Sequence, residues 1–239
     1  MNHYFITGTS RGIGKAIAEQ LLLDANNFVT GLSRSSSIVH ERYTHVEMDL
    51  SDVAKVAAFN FPVLEQAKKI ALVNNAGAIG EVHYAGKMVD DEVVRAYNIN
   101  LIAPSLLTNS FLNTYASHAA QQVIINVSSG AGKNAIDGWS VYCATKAGLD
   151  MFTKVVAEEV KLSGKKNVFV FSVAPGIVDT AMQDQIRSSD VSDFSQIQRF
   201  IEYKKSDQLA QPDVVAGKYL AILGLPEKFK DVVFSVKDI

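Results

Sequence analysis

Tyr142 and Lys146 stand four residues apart in a stretch with helical apolar spacing, Ser140 to Leu162, so their side chains share one helix face. A free phenol titrates near pH 10, about three units too high for an efficient base at neutral pH, and a neighbouring ammonium favours the phenolate. Such a pair can pass a proton to the oxygen of a carbonyl as it is reduced, or take one from an alcohol as it is oxidised. Ser128 and Ser129 close the apolar run Ile124-Ile125-Asn126-Val127, and either hydroxyl can polarise and orient a substrate carbonyl. Strand side chains alternate, so only one of the two serines faces the site from a regular strand. A Tyr-x3-Lys pair alone is equally a packed helix face.

Carbonyl reduction also needs a hydride source, and the N-terminal residues offer a place for one. Thr7-Gly8-Thr9-Ser10-Arg11-Gly12-Ile13-Gly14 lies between the first apolar strand and the first helical pattern, where glycines let backbone approach a pyrophosphate and the helix N-terminus supplies amide donors. Gly8, Ser10, Arg11, Gly12, Ile13 and Gly14 are the candidate contacts. The glycine spacing is G-x3-G-x-G, not G-x-G-x-x-G, so the generic dinucleotide motif alone carries little weight. After the second strand, Gly31-Leu32-Ser33-Arg34 lacks the carboxylate that binds a ribose 2′-hydroxyl in NAD enzymes. Arg34, Ser33 and Arg11 instead suit a 2′-phosphate, which predicts NADP(H).

Taken together, Thr7-Gly8-x3-Gly12-Ile13-Gly14, Asn74-Asn75-Ala76-Gly77, Asn100, Ser129, Tyr142-x3-Lys146 and Pro175-Gly176 resemble the short-chain dehydrogenase/reductase family over nearly the whole chain. The resemblance implies a single-domain Rossmann fold and four catalytic residues: Tyr142, Lys146, Ser129 and Asn100. The thirteen-residue spacing from Ser129 to Tyr142 matches the family's catalytic serine, and Asn100 is implied to hold a water beside Lys146. Lys146 and Tyr142 would also contact the nicotinamide ribose. Asp49 and Leu50 would contact the adenine, though Asp49 is also a candidate helix cap with Ser51. Asn75, Ala76 and Gly77 would line the cofactor, with Asn74 structural. Pro175, Gly176, Ile177, Val178 and Thr180 match the segment that holds the nicotinamide carboxamide.

Gly138-Trp139-Ser140-Val141-Tyr142 and Asp179-Thr180-Ala181-Met182 resemble two groups within that family, the sepiapterin reductases and the microbial benzil reductases. Trp139, Met182 and Gly176 are expected to join Ser129 and Tyr142 around the substrate, with plain core as the rival role for Trp139. Sepiapterin reductases hold the pterin with an aspartate near the C-terminus; here Val233 falls at that place, with Asp231 and Asp238 out of register. The expectation is a small aromatic vicinal diketone, with sepiapterin as the alternative. An acyl-carrier ketoreductase would want a basic docking surface, and an NADP-sensing protein would be expected to lose Tyr142.

The elements that must position these residues are legible as strands alternating with helical stretches. Apolar strand patterns run Tyr4 to Thr7, Phe28 to Leu32, His45 to Met48, Ile70 to Asn74, Val123 to Ser128, Val168 to Val173 and Val232 to Val236. Helical patterns run Gly12 to Leu23, Val53 to Lys69, Asp91 to Tyr115, Ser140 to Leu162 and Asp213 to Leu223. This rhythm predicts a doubly wound, mostly parallel seven-stranded α/β sheet with helices on both faces, in one domain over residues 1–239. Residues 181–211 lack strand signals and read as a mobile cap over the site or as a surface helix pair.

A net charge of −2 and 48% hydrophobic residues argue against nucleic acid or membrane as partner and for a small-molecule carbonyl substrate. Cys143 is the single cysteine, so no intramolecular disulfide forms and a reducing cytoplasmic setting is expected. The five histidines show no metal-ligand spacing. By the same family resemblance, a homodimer or homotetramer is expected, formed through the two long helices.

Overall fold

In the computed structural model, which describes all 239 residues, the apolar runs become seven strands: β1 (Asn2–Thr7), β2 (Asn27–Ser33), β3 (Tyr43–Glu47), β4 (Lys69–Asn74), β5 (Gln121–Val127), β6 (Val168–Ala174) and β7 (Val233–Ser235). Alternation decides which face each side chain enters. Tyr4, Ile6, Ala71, Val73, Val123 and Ile125 join one core, while Phe5, Ile70, Leu72 and Ile124 join the other. The strands pair in the order β3-β2-β1-β4-β5-β6-β7, and every pairing is parallel. The order reverses between β1 and β4, which opens a crevice at their carboxyl ends.

Helices α1 (Gly12–Leu21) and α8 (Pro212–Gly224) cover the first face through Ile17, Ala18, Leu21, Val215, Tyr219 and Ile222. The second face is covered by α2 (Val53–Ala57), α4 (Ala103–Thr114) and α5 (Ser140–Leu162), with Val56, Leu107, Phe111 and Val156 buried. Two helical expectations are corrected. The stretch Val53 to Lys69 is helical only to Ala57, because Pro62 lacks an N–H and biases Phe61 away from the helical region. Phe61 instead packs edge-on against Phe5 at 4.8 Å and Phe111 at 5.4 Å. The stretch Asp91 to Tyr115 is not one helix but α3 (Asp90–Tyr97), a π-turn (Asn98–Ile102) and α4. Pro104 accounts for the π-turn: it has no N–H for the carbonyl of Asn100 four residues earlier, and its ring would strike that carbonyl in a regular helix.

Residues 181–211 form α6 (Ala181–Arg187) and α7 (Ile197–Lys205), a helix pair that lies over the crevice. Its two ends are pinned together, Asp179 N donating to Ala210 O at 2.9 Å and Ala210 N to Ile177 O at 3.0 Å. Between them, Phe194 is wholly buried and stacks on Trp139 at 5.2 Å, with Phe200 closing the cluster. Two carboxylates tie the same loop to the body. Asp193 accepts from Lys87 at 2.6 Å and meets His83 at 3.0 Å, while Asp137 accepts from Ser195 N at 2.7 Å.

Truncating Phe194 removes roughly 3 kcal/mol or more of packing from this loop while the sheet is untouched. Phe194→Ala should therefore expose residues 188–211 to limited proteolysis while far-ultraviolet circular dichroism stays near that of the parent. Unchanged resistance would mean that the carboxylate ties suffice without the ring.

Candidate active site

The carboxyl ends of β1, β4, β5 and β6 surround a cleft of about 1530 Å³ that runs from the glycine loop to the helix pair. At its near end Gly8 and Gly12 adopt φ of +75° and +60°. Gly14 is needed for close packing, since a Cβ there would fall 2.3 Å from Asn75 Nδ2 and 2.5 Å from Gly8 O. Asn75 Nδ2 donates to Thr7 O at 2.9 Å, and Ala76 N donates to Thr7 Oγ1 at 3.0 Å, so β4 steadies the loop after β1. Asn74 bonds Asn126 at 2.8 Å inside the sheet, a structural role.

The residues at this end fit a dinucleotide. The first turn of α1 has no side-chain cap and no acidic residue, which leaves its amides open to an anion. Arg11 and Arg34 stand exposed on the lips of the cleft. Ser33 lines the same cleft but is buried, and its hydroxyl donates to Ser35 O at 2.8 Å, so that proton is committed within the chain. Asp49 does not cap α2, whose N-cap is Asp52 with its carboxylate accepting from Lys55 N at 3.1 Å; Asp49 closes an Asx turn before it, accepting from Ser51 N at 2.9 Å and Ser51 Oγ at 2.8 Å. Those bonds, helped by Arg34 and Arg95, hold its carboxyl below the usual range while it still lines the cleft beside Leu50.

Deeper in, Tyr142 and Lys146 project from α5, both more than nine-tenths buried. Burial pushes the Tyr142 phenol above its ordinary value, and the nearby Ser129 hydroxyl pulls it part of the way back. Lys146 donates to Val127 O at 2.8 Å, and its Nζ lies 5.7 Å from the Tyr142 ring centre. Burial pulls the ammonium down to about 8, with Asp150 opposing the shift. The expected lowering of Tyr142 by Lys146 is not found among the protein's own groups, where burial dominates and moves the phenol up. Ser129 follows β5 and caps the short turn Gly130–Gly132 through Ala131 N. Ser128 Oγ is buried with no partner.

Asn100 sits at the centre of the π-turn, and its amide is locked to one backbone residue. Oδ1 accepts from Ala78 N at 2.8 Å, and Nδ2 donates to Ala78 O at 2.8 Å and to Thr145 Oγ1 at 3.2 Å. A Cβ on Gly77 would lie 3.5 Å from Asn100 Oδ1 and 3.6 Å from Lys146 Nζ, so the missing side chain leaves room between them.

At the outer end Gly176 turns at φ +76°, beside Pro175 and Ile177, and Thr180 reaches across so that its methyl would lie 3.4 Å from a Cβ on Gly12. Val178 differs from its neighbours: its side chain enters the β6–α8 core, and its backbone pairs with Ala210. Trp139 both lines the cleft and anchors the helix pair, edge-on to Tyr142 at 5.7 Å, with Met182 packed beside it. Asp238 also reaches the cleft, with Oδ2 accepting from Ser235 N at 2.8 Å. Two residues that matter here were not anticipated. Asp150 could have been found from its position one turn beyond Lys146; Phe194, in a polar stretch, gave no periodic signal.

The short chain dehydrogenase family profile matches residues 2–191. A benzil reductase ((S)-benzoin forming) of Bacillus subtilis (strain 168) is 39% identical over 230 residues, covering 93% of each chain. A sepiapterin reductase of Rattus norvegicus is 30% identical, covering 91% of this chain and 89% of its own. The crystal structure of a short chain dehydrogenase/reductase from Saccharomyces cerevisiae superposes with a TM-score of 0.83 at 26% identity, covering 99% of this chain and 96% of that one.

Because Asn100 satisfies both backbone groups of Ala78, Asn100→Ala should lower stability by roughly 1–3 kcal/mol, whatever it does to turnover. Urea unfolding without added cofactor measures this. A variant with the parent's midpoint would mean that Ala78 finds other partners.

Proposed function

The chain belongs to the short-chain dehydrogenase/reductase family of oxidoreductases, and from that premise we propose that it is an NADPH-dependent carbonyl reductase acting on small aromatic vicinal diketones to give hydroxyketones. The observation that carries this reading is the placement of Tyr142 and Lys146, buried on one face of α5, with Ser129 beside the same cleft that the glycine loop opens. The phenol, protonated at neutral pH, has a proton to give to a carbonyl oxygen as it is reduced.

The bound nicotinamide dinucleotide would supply the hydride. Its pyrophosphate is assigned to the open N-terminus of α1 and the loop Gly8 to Gly14, its adenosine end to Asp49 and Leu50, and its 2′-phosphate to Arg11 and Arg34. Lys146 would bind the nicotinamide ribose, and the turn from Pro175 to Thr180 the carboxamide. The remaining work falls to the chain's own side chains. Ser129, beside Tyr142, orients the substrate carbonyl between the two hydroxyls. Tyr142 delivers its proton to that oxygen. The room beside Gly77, between Asn100 and Lys146, lets a water connect the ammonium to solvent and restore the proton.

The substrate class rests on the walls. Ile79, Trp139, Met182, Ile186, Phe200 and Tyr203 give the outer cleft an aromatic and aliphatic lining suited to phenyl rings. The benzil reductases among the relatives favour the same reading, and the sepiapterin reductases support the alternative. Val233 stands where the pterin-binding aspartate is expected, and one oxygen of Asp238 is already engaged by Ser235 N. Asp238 Oδ1 is left to meet a pterin N–H, and each such group without a partner would be buried at a cost of roughly 1–3 kcal/mol. Exposed Ile102, Met151 and Val155 on the π-turn and α5 favour a homodimer or homotetramer formed through that face.

A charge-assisted Arg–phosphate pair contributes roughly 1.5–3 kcal/mol, so NADPH should be preferred to NADH by at least about tenfold in kcat/KM. Arg34→Asp should abolish or reverse this preference, and equal use of both cofactors by the parent enzyme would refute the assignment.

With NADPH, kcat/KM for benzil should exceed that for sepiapterin under the same conditions. Tyr142→Phe should bind NADPH normally yet lose about 10²- to 10⁴-fold in benzil turnover. Efficient sepiapterin reduction without benzil reduction would select the pterin reading.

A further inference from the structure

One buried carboxylate has no part in the mechanism above. Asp150 lies one turn beyond Lys146 on the same face of α5 and is only 6% exposed. Ser172 Oγ of β6 donates to its Oδ1 at 2.6 Å. The turn after Ser129 closes over its other oxygen: a Cβ on Gly132 would fall 2.9 Å from Asp150 Oδ2 and 3.0 Å from the Lys146 carbonyl. Three elements, β5's following turn, α5 and β6, therefore converge on this carboxylate. Burying such a group is costly unless a charge of opposite sign stands near, and residues four apart on a helix face are neighbours.

Lys146 has the matching deficit. Its side-chain hydrogen bond goes to a neutral carbonyl, that of Val127. The groups that face it from other elements are neutral as well: the Asn100 amide from the π-turn and the Gly77 backbone after β4. Tyr142 and Tyr219 are titratable, but burial raises both phenols and keeps them uncharged. Cys143 points away toward Asn134 O, and Glu92 and Arg95 of α3 are paired with each other at 3.3 Å.

We propose that Asp150 is a positioning residue whose carboxylate, held by Ser172, balances the buried charge of Lys146 and keeps the ammonium protonated beside Tyr142. Its importance to turnover rests on the reading of Lys146 given under the proposed function; the coupling itself does not. Desolvation draws Lys146 toward neutrality, and Asp150 opposes it. Without the carboxylate the amine loses its proton at lower pH, and kcat/KM for reduction, which needs the charged form, falls off earlier on the alkaline side.

The test reads Lys146 directly. In protein labelled with 13C at lysine Cε, the Lys146 signal should titrate roughly 1 unit lower in Asp150→Asn than in the parent, the size expected of one nearby opposite charge. Asp150→Glu, which retains the charge, should restore most of the parent value. The alkaline limb of kcat/KM for benzil should move with the signal. In the unmutated protein, the Asp150 carboxyl 13C resonance should carry a step at the pH where Lys146 titrates, a measurement that holds even where the Asn variant does not fold. An unmoved Lys146 titration in Asp150→Asn, or a flat Asp150 resonance across the Lys146 titration, overturns the proposal. A shifted Lys146 signal with an unmoved rate profile supports the coupling and counts instead against Lys146 as the catalytic cation.

Discussion

A lysine ammonium buried at the carboxyl edge of a parallel sheet is the constraint around which this molecule is organised. Water would solvate such a group far better than protein does, so the surrounding elements must supply what water would. β5 contributes a carbonyl, the π-turn an amide placed close by, and β6 a hydroxyl that steadies the carboxylate one turn away. The glycines nearby answer the same demand. A side chain at Gly132 would crowd the carboxylate, and one at Gly77 would fill the space between the ammonium and Asn100. Catalytic geometry and fold stability therefore draw on the same contacts, and a change to one is felt by the other.

The parallel sheet makes this economical. Every strand delivers its carboxyl end to the same side, so the glycine loop, Asn75, Ser129 and the Pro175-Gly176 turn gather without long excursions of chain. The exception is the helix that brings Asn100. A regular helix would bond the Asn100 carbonyl within itself. Pro104 prevents that bond, and the π-turn redirects the side chain onto Ala78, tying the segment after β4 to the helix. A residue usually read as a helix breaker serves here to aim another.

Strand positions were legible because β1, β2, β4, β5 and β6 are buried on both faces and bounded by turn residues. Tyr142, Lys146, Ser129 and the glycine loop were legible because they are local in sequence. What escaped notice depended on contacts between distant segments or on competing local signals. Phe59, Phe61 and Leu64 continue the apolar spacing of α2, but Pro62 ends the helix and the aromatic rings fill the core from irregular chain. The Ser33 hydroxyl points to a carbonyl two residues on, a preference that composition does not reveal. Trp139 drew two readings, wall and core, and the fold assigns it both places because the helix pair packs on the back of the ring that borders the cleft.

The excursion between Ile177 and Ala210 leaves and rejoins the body at one point, where the two backbones are hydrogen-bonded to each other. Nothing in the sheet or in the glycine loop depends on the length of the chain between them. The molecule thus separates what must be invariant, a dinucleotide platform, from what can vary. The segment after Thr180 behaves as an exchangeable cassette, and a new substrate range can evolve or be engineered by replacing residues 181–209, because Val178 belongs to the core and Thr180 abuts the glycine loop.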